Sequence, residues 1–226
     1  MLDKEEFLAQ VLELMTMIGR KVDKIQLNPY LEYSPELIWV RTGIAKIFAI
    51  NESGLKVNTD LIFKGELFLA QQNNYKSTDL FFLENLKYSE VYSLPLHFLN
   101  HTQQHYLPWL MMDYYNQRLQ RIHQQKVKNY DLDMSERIFY LLSDFCLIYG
   151  QNTGVYYSMP NFFTHEDLAS ILRTCRQTIT SSLSNLKRKK KLFYNRKEIR
   201  FEKSIFESVK TLRNSQASES LIHSSC

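Results

Sequence analysis

The sequence predicts an α+β protein built from an N-terminal β-sandwich or barrel, a long helix, and a C-terminal helix-turn-helix followed by a small β wing. Three observations predict it. Between Val22 and Pro95, short runs rich in Ile, Val, Phe, Leu and Tyr are broken by turn residues; from about His97 apolar residues take up helical spacing; and Thr164 to Lys191 reads THEDLASILRTCRQTITSSLSNLKRKKK, two short helices joined at RTC and ending in a basic run.

The bulk properties bound the answer loosely. A chain of 226 residues, 44% hydrophobic and 23% charged, suffices for one large domain or two ordinary ones. The net charge of +4 is modest, so affinity for a polyanion must come from distribution. That distribution is uneven: Lys187, Arg188, Lys189, Lys190, Lys191, Arg196, Lys197, Arg200 and Lys203 crowd one segment, whereas residues 1–100 mix Lys with Glu and Asp. Cys146, Cys175 and Cys226 are far apart and odd in number, which argues against a disulfide framework or a four-cysteine metal site and for a reducing compartment. The acidic start MLDKEEFLAQ has neither a secretory nor a transit-peptide layout, and no apolar run approaches membrane-spanning length. A partner membrane is not expected.

In chain order, Phe7, Val11, Leu12, Leu14, Met15 and Ile18 define a first helix over Glu5 to Ile18. The runs KIQL, ELIWVRTG, IAKIFAIN, LKVNTDLIF, ELFLA, LFFLENL and SEVYSLP then read as strands, separated by Asn28-Pro29, Ser34-Pro35, Gly43, Ser53-Gly54 and Gly65. IAKIFAINESGLKVNTDLIF is a hairpin turning at Asn51-Glu52-Ser53-Gly54. Pro108 is expected to open a long helix in its first turn. On it Met112, Tyr115, Leu119 and Ile122 alternate in spacings of three and four, a short coiled-coil seam that ends where Lys126 and Asn129 follow. Two packings are open for this stripe, against the chain's own β domain or against a second copy. SERIFYLLSDFCLIY continues as a helix from Met134 to Tyr149, stopped at Gly150, with Cys146 as a small core residue.

In the segment Thr164 to Lys191, Thr164-x-x-Asp167 and Thr174-x-x-Gln177 both have capping-box spacing and predict two helix starts. Leu168, Ala169, Leu172, Ile179 and Leu183 supply the buried face, and Arg176, Gln177, Thr178, Ser181 and Ser182 the outward one. Arg can donate twice to guanine and Gln can pair with adenine. KLFYNRKEIRF then alternates about an Asn195-Arg196-Lys197 turn, a wing whose basic residues, with Lys187, Lys189 and Lys190, suit phosphates. The candidate DNA-contacting set is therefore Thr164, Thr174, Arg176, Gln177, Thr178, Ser181, Lys187, Lys189, Lys190, Arg196 and Lys197. There is no Gly-rich phosphate loop, nucleophile elbow or pair of catalytic carboxylates, so an enzyme is not expected.

These residues carry a resemblance. The β domain, the long helix, LDMSERIFYLL and the segment THEDLASILRTCRQTITSSLSNLKRKKKLFYNRKEIRF resemble the CRP/FNR superfamily of bacterial transcription regulators, and T-H-x-x-L-A-x-I-L-x-T-C-R-x-T-I-T-x-x-L is similar to its NtcA, or nitrogen-control, branch. The resemblance spans residues 20–205 and is strongest from Asp131 to Phe201. It implies a cNMP-binding-like β-roll over 1–106, a dimerisation helix over 107–130, a winged helix-turn-helix over 131–210 and a tail over 211–226. It also implies a homodimer on palindromic double-stranded DNA, an activator that contacts RNA polymerase, with Arg176 at the guanine-reading position. Richness in Lys, Asn, Ile, Tyr and Phe would suit a plastid gene, so the expected location is a plastid stroma or a bacterial cytoplasm.

Departures from the pattern matter as well. Arg173 stands at a turn position usually held by glycine, Cys175 where Ser or Thr is common, and Ser181 where a second arginine falls. Gly65-Glu66-Leu67-Phe68 keeps half of a cyclic-nucleotide signature, while Lys76-Ser77-Thr78-Asp79 lacks its arginine. Asp79 and Leu132 stand where the resemblance places the two arginines that hold 2-oxoglutarate, the second of them on the long helix. Neither cyclic nucleotide nor 2-oxoglutarate is therefore expected to bind, unless Lys76 or Lys128 compensates. An alternative is a metal- or redox-responsive sensor, using His97, His101 and His105 spaced every four residues on one helix, or Cys175 activated between Arg173 and Arg176.

Overall fold

The computed structural model describes residues 4–27, 35–70, 80–128 and 130–208. The chain divides into two compact units, Met1–Tyr130 and Asp131–Cys226. No helix among the described residues is long and apolar enough to cross a membrane.

The first unit begins with α1 (Lys4–Ile18) and continues through β1 (Arg20–Val22), β2 (Lys24–Gln26), β3 (Glu36–Thr42), β4 (Ile44–Ile50), β5 (Lys56–Phe63), β6 (Leu67–Ala70), β7 (Leu80–Asn85) and β8 (Glu90–Pro95). These strands form two antiparallel sheets, ordered β1-β8-β3-β6 and β2-β7-β4-β5. Side-chain alternation along β3 explains the layering. Ile38 and Val40 join Ala45, Ile47, Ile62 and Leu83 in a core shared by the two sheets, whereas Leu37 and Trp39 face the other way. There they meet Phe7, Val11 and Met15 of α1 and Leu107, Leu110 and Met111 of the long helix α2 (His101–Lys128). Strand β4 is buried on both faces; on the side away from the core, Phe48 is covered by Lys24 and Lys56, whose ammonium groups lie 5.3 and 3.8 Å from its ring centre.

The expected hairpin joins β4 to β5. The Asn51 side-chain oxygen accepts from Leu55 N at 2.8 Å, and Gly54 takes φ +78°, a conformation that favours glycine. Asn28, Pro29, Ser34 and Lys76 to Asp79 lie outside the described residues. The start of α2 differs from expectation: the helix opens at His101, with Gln104 N bonded to Asn100 O, and Pro108 lies inside it. A proline in a helix interior removes one backbone bond and costs about 3 kcal/mol. Burial of Leu107, Leu110 and Met111 around it offsets that cost. His97 belongs to a separate 3-10 turn, Leu96–Phe98, and Leu99 is extended, so the three histidines do not share the one continuous helix that the metal-sensor alternative supposed.

The second unit holds α3 (Met134–Tyr149), β9 (Gln151–Asn152), β10 (Tyr156–Pro160), α4 (His165–Ile171), α5 (Arg176–Arg188), β11 (Phe193–Tyr194) and β12 (Glu198–Glu202). Asp133 and Glu136 cap α3 reciprocally, and Gly150 closes it. The sheet order is β11-β12-β10-β9. Its core is strongly aromatic: Phe139 meets Phe201, Phe145 meets Phe163, and Phe206 meets both Tyr157 and Phe201. Cys146 is buried in that core, and burial pushes its thiol pKa up to about 12, so it stays protonated.

Candidate nucleic-acid interface

Helices α4 and α5 pack on each other, and α5 also packs on α3. The cause is the apolar spacing: Leu168 and Ala169 on α4 and Ile179, Leu183 and Leu186 on α5 are buried, while Leu172 in the turn is half-buried. The small Ala169 permits close approach. At Thr164 the expected capping box forms, with Thr164 Oγ1 accepting from Asp167 N at 3.1 Å and Asp167 Oδ2 accepting from Thr164 N at 2.9 Å. The same hydroxyl donates to Asp167 at 2.6 Å, so it is engaged inside the protein.

The turn between the helices corrects the second box. Arg173 adopts φ +52°, the left-handed conformation that glycine would take without strain. Thr174 N then bonds back to Ala169 O at 2.9 Å, and Cys175, not Thr174, becomes the cap of α5, with no side-chain capping bond. One residue spent on the left-handed turn moves the helix start by one position. Cys175 is exposed, and its Sγ lies 3.1 Å from Thr178 Oγ1. Its pKa is lowered, chiefly by the Thr178 hydroxyl and then by the Thr178 backbone N–H, rather than by the flanking arginines.

The solvent side of α5 is polar. Arg176, Gln177 and Ser181 are exposed, Thr178 and Thr174 are half-buried, and Ser182 is buried, so Ser182 leaves the outward set. Arg176 donates to Glu166 of α4 at 3.1 Å, both side chains about two-thirds exposed at 67% and 70%. Such an exposed pair is screened by solvent and holds the guanidinium only weakly. Nothing in the sequence signalled Glu166, because a link across a helix-turn-helix at separation ten has no local pattern. Ser181 Oγ donates to Gln177 O at 2.7 Å, which leaves its oxygen as an acceptor, whereas Thr180 Oγ1 donates to Arg176 O at 2.9 Å and meets His165 Nδ1 of α4 at 2.9 Å, so it is engaged inside the protein.

The basic run has two roles. Lys187, Arg188, Lys189 and Lys190 are exposed at the C-terminal end of α5, where cations also offset the helix dipole. Lys190 takes φ +55° as the helix closes, with Lys191 N bonded to Leu186 O at 3.0 Å. Lys191 turns back over Phe139, 5.7 Å from its ring centre. The wing forms as expected: β11 pairs with β12, and exposed Arg196 and Lys197 occupy the tip. Asn195 Oδ1 accepts from Lys197 N at 2.7 Å and Glu198 N at 2.9 Å. Asn161, not anticipated from sequence, anchors this tip, its backbone N–H donating to Lys197 O at 2.9 Å and its side chain to Asn195 O at 2.7 Å. Glu198 pairs with Arg200, which lowers the carboxyl pKa and removes Arg200 from the freely available cations.

In the first unit, α2 carries a second candidate surface. Met112 and Leu119 are exposed, 58% and 52%, Tyr115 is marginally so, and Ile122 is half-buried. The face of α2 turned to the chain's own β domain is occupied by Leu107, Leu110, Met111 and Tyr114, and Met112 and Leu119 are not part of it. Trp109, 70% exposed and three residues before Met112, extends the apolar stripe. Leu132 lies beyond the end of α2, where its carbonyl accepts from Arg137 Nε at 2.9 Å, so it is not a position on the long helix.

No protein-family model matches the chain, and no curated protein does. Solved structures do. A CooA variant from Carboxydothermus hydrogenoformans is 15% identical with TM-score 0.62, covering 91% of this chain and 94% of its own. A CRP-family transcriptional regulator from Thermus thermophilus is 14% identical with TM-score 0.62, covering 84% and 95%. A CRP/FNR-family regulator from the same organism is 16% identical with TM-score 0.59, covering 85% and 97%. The class defined by these likenesses is one of fold. The chain has the α+β fold of the CRP/FNR regulators, a cNMP-binding-like β domain with a long helix and a C-terminal helix-turn-helix domain.

Proposed function

We propose that the chain is a sequence-specific DNA-binding transcription regulator that acts as a homodimer on a palindromic site. The observation that carries this reading is the division of α5: Ile179, Leu183 and Leu186 are buried, while Arg176, Gln177 and Ser181 face outward beside an exposed rim of Lys187, Lys189 and Lys190. A helix so divided fits a major groove, with Arg176 donating to guanine, Gln177 pairing with adenine, and the rim, Arg196 and Lys197 on phosphates. Likeness of fold to CRP/FNR regulators supports it. The exposed stripe of Trp109, Met112, Tyr115 and Leu119 supports a second copy as the partner of α2.

The finer reading is an NtcA-like nitrogen-control activator that contacts RNA polymerase in a plastid stroma or bacterial cytoplasm, with its response to 2-oxoglutarate lost. The resemblance aligns Asp79, an anion, with one of the cations that a dicarboxylate would require; its second alignment, at Leu132, falls away because Leu132 lies beyond the long helix. Loss of that charge-assisted contact, worth about 1.5–3 kcal/mol, would weaken such a site by about 10- to 150-fold, before the repulsion from Asp79 is counted. The test is selection of bound duplexes from a random pool, with and without 2-oxoglutarate. Enrichment of one palindrome in both arms is the expected result; no enrichment defeats the DNA reading, and enrichment only with 2-oxoglutarate defeats the lost-effector reading. A redox-responsive variant of the same function draws support from exposed Cys175, whose lowered pKa favours oxidation at the first turn of α5. DNA affinity that changes on thiol oxidation in the wild type and not in Cys175→Ser is its test.

A further inference from the structure

Helix α2 turns two arginines toward its own β domain, and both are answered by carboxylates of that domain. Arg118 pairs with Asp60 of β5; their side chains are 10% and 15% exposed. Arg121 pairs with Glu66 at the entry to β6 through both guanidinium Nη atoms, and also donates to Leu61 O at 3.2 Å. The surroundings are aromatic: Arg118 lies 5.2 Å from the ring centre of Phe68 and 5.8 Å from that of Tyr115, and Arg121 lies 4.0 Å from that of Phe63. Arg118 Nε and Nη1 are buried and have no hydrogen-bond partner among the described residues, so Asp60 is its anchor there. One turn earlier, Tyr114 donates to Gly65 O at 3.3 Å.

Two cations held between aromatic faces and largely out of water require anions nearby, since an unpaired buried charge is strongly destabilising. Nothing about those anions requires that they be covalently part of the chain. We propose that Asp60 and Glu66 are built-in anionic ligands: they occupy the two arginines of α2 as a small carboxylate would, and so fasten the helix to the β domain in the absence of any effector. The first three turns of α2 are held by apolar packing of Leu107, Leu110 and Met111. The segment Tyr114 to Ile122 is held by this polar latch, and the latch reaches the outward stripe through Tyr115, against which Arg118 stacks.

The test is amide hydrogen exchange over residues 114–122 of the full chain, a readout within α2 that does not depend on DNA binding by α5. It is run in sodium acetate and in sodium chloride at matched ionic strength. The wild type should exchange identically in both salts. Glu66→Ala, which leaves a carboxylate-sized space beside Arg121, should exchange about tenfold faster in chloride and recover much of that loss in acetate. Arg121→Ala, lacking the cation, should be fast in both. Equal exchange of Glu66→Ala in the two salts, or exchange unchanged from wild type, overturns the proposal. Should Glu66→Ala not fold, the isosteric Glu66→Gln replaces it: faster exchange confined to 114–122 supports the latch, and wild-type exchange overturns it.

Discussion

Helices α2 and α5 are built on one plan and finished in opposite ways. Each buries an apolar stripe within its own unit, α2 through Leu107, Leu110 and Met111, and α5 through Ile179, Leu183 and Leu186. Their remaining faces differ in kind. That of α2 is lined by Trp109, Met112 and Leu119, that of α5 by Arg176, Gln177, Ser181 and the lysines that follow. An exposed apolar stripe gains free energy only by leaving water, at about 25 cal/mol per Å2, and so calls for another protein surface. An exposed face of hydrogen-bonding groups with a cationic rim gains little from burial and much from phosphates and base edges. On the proposed function, it is the outward face, rather than the amphipathic pattern both helices share, that distinguishes their partners.

The largest expected effect tests the α2 half of this comparison. Leu119→Arg brings two like charges into an apolar seam and should weaken self-association by about 3–5 kcal/mol, converting a dimer to monomers in sedimentation at micromolar concentration. A wild-type chain that sediments as a monomer there removes the comparison altogether. Next in size, Arg176→Ala should cost about 1–3 kcal/mol on the preferred duplex and little on random DNA, measured by competition binding. Equal losses on both would reduce Arg176 to a phosphate contact. Smaller again, Lys189→Ala should weaken all duplexes by the same factor and lower the slope of log affinity against log salt by about 1. The smallest effect is one of stability. Arg173→Gly relieves the left-handed turn and should raise the urea midpoint of the second unit by the equivalent of about 0.5–1 kcal/mol; a lower midpoint would mean that the arginine side chain contributes a contact of its own.

What was legible in the sequence was local. The Thr164 box, the Asn51 to Gly54 hairpin, the wing turn at Asn195 and the Gly150 stop each depend on residues within four positions of one another, and each formed. The Thr174 box has equally good spacing and did not form, because Arg173 consumes the position that would have made Thr174 the cap. Pro108 misled for a related reason: its local preference for a first turn yields to the packing of Leu107, Leu110 and Met111, which the pattern shows but does not weigh. The strand order was beyond reach, since β3 lies between β6 and β8, both distant in sequence. The groups that set the candidate sites were hidden likewise. Glu166 on Arg176, Asn161 on the wing, and Asp60 and Glu66 on α2 are meetings that the fold arranges and no spacing announces.

The anchoring of the wing has a thermodynamic corollary. A free hairpin tip carrying Arg196 and Lys197 would have to give up backbone freedom on meeting a phosphate, at about 1–2 kcal/mol for each residue newly fixed. Asn161 and Asn195 already hold that backbone through bonds of 2.7–2.9 Å. The ordering entropy is thus settled during folding and does not recur at each encounter. Association through the wing should carry the heat-capacity change of surface burial alone, without the larger negative value that accompanies a segment folding as it binds.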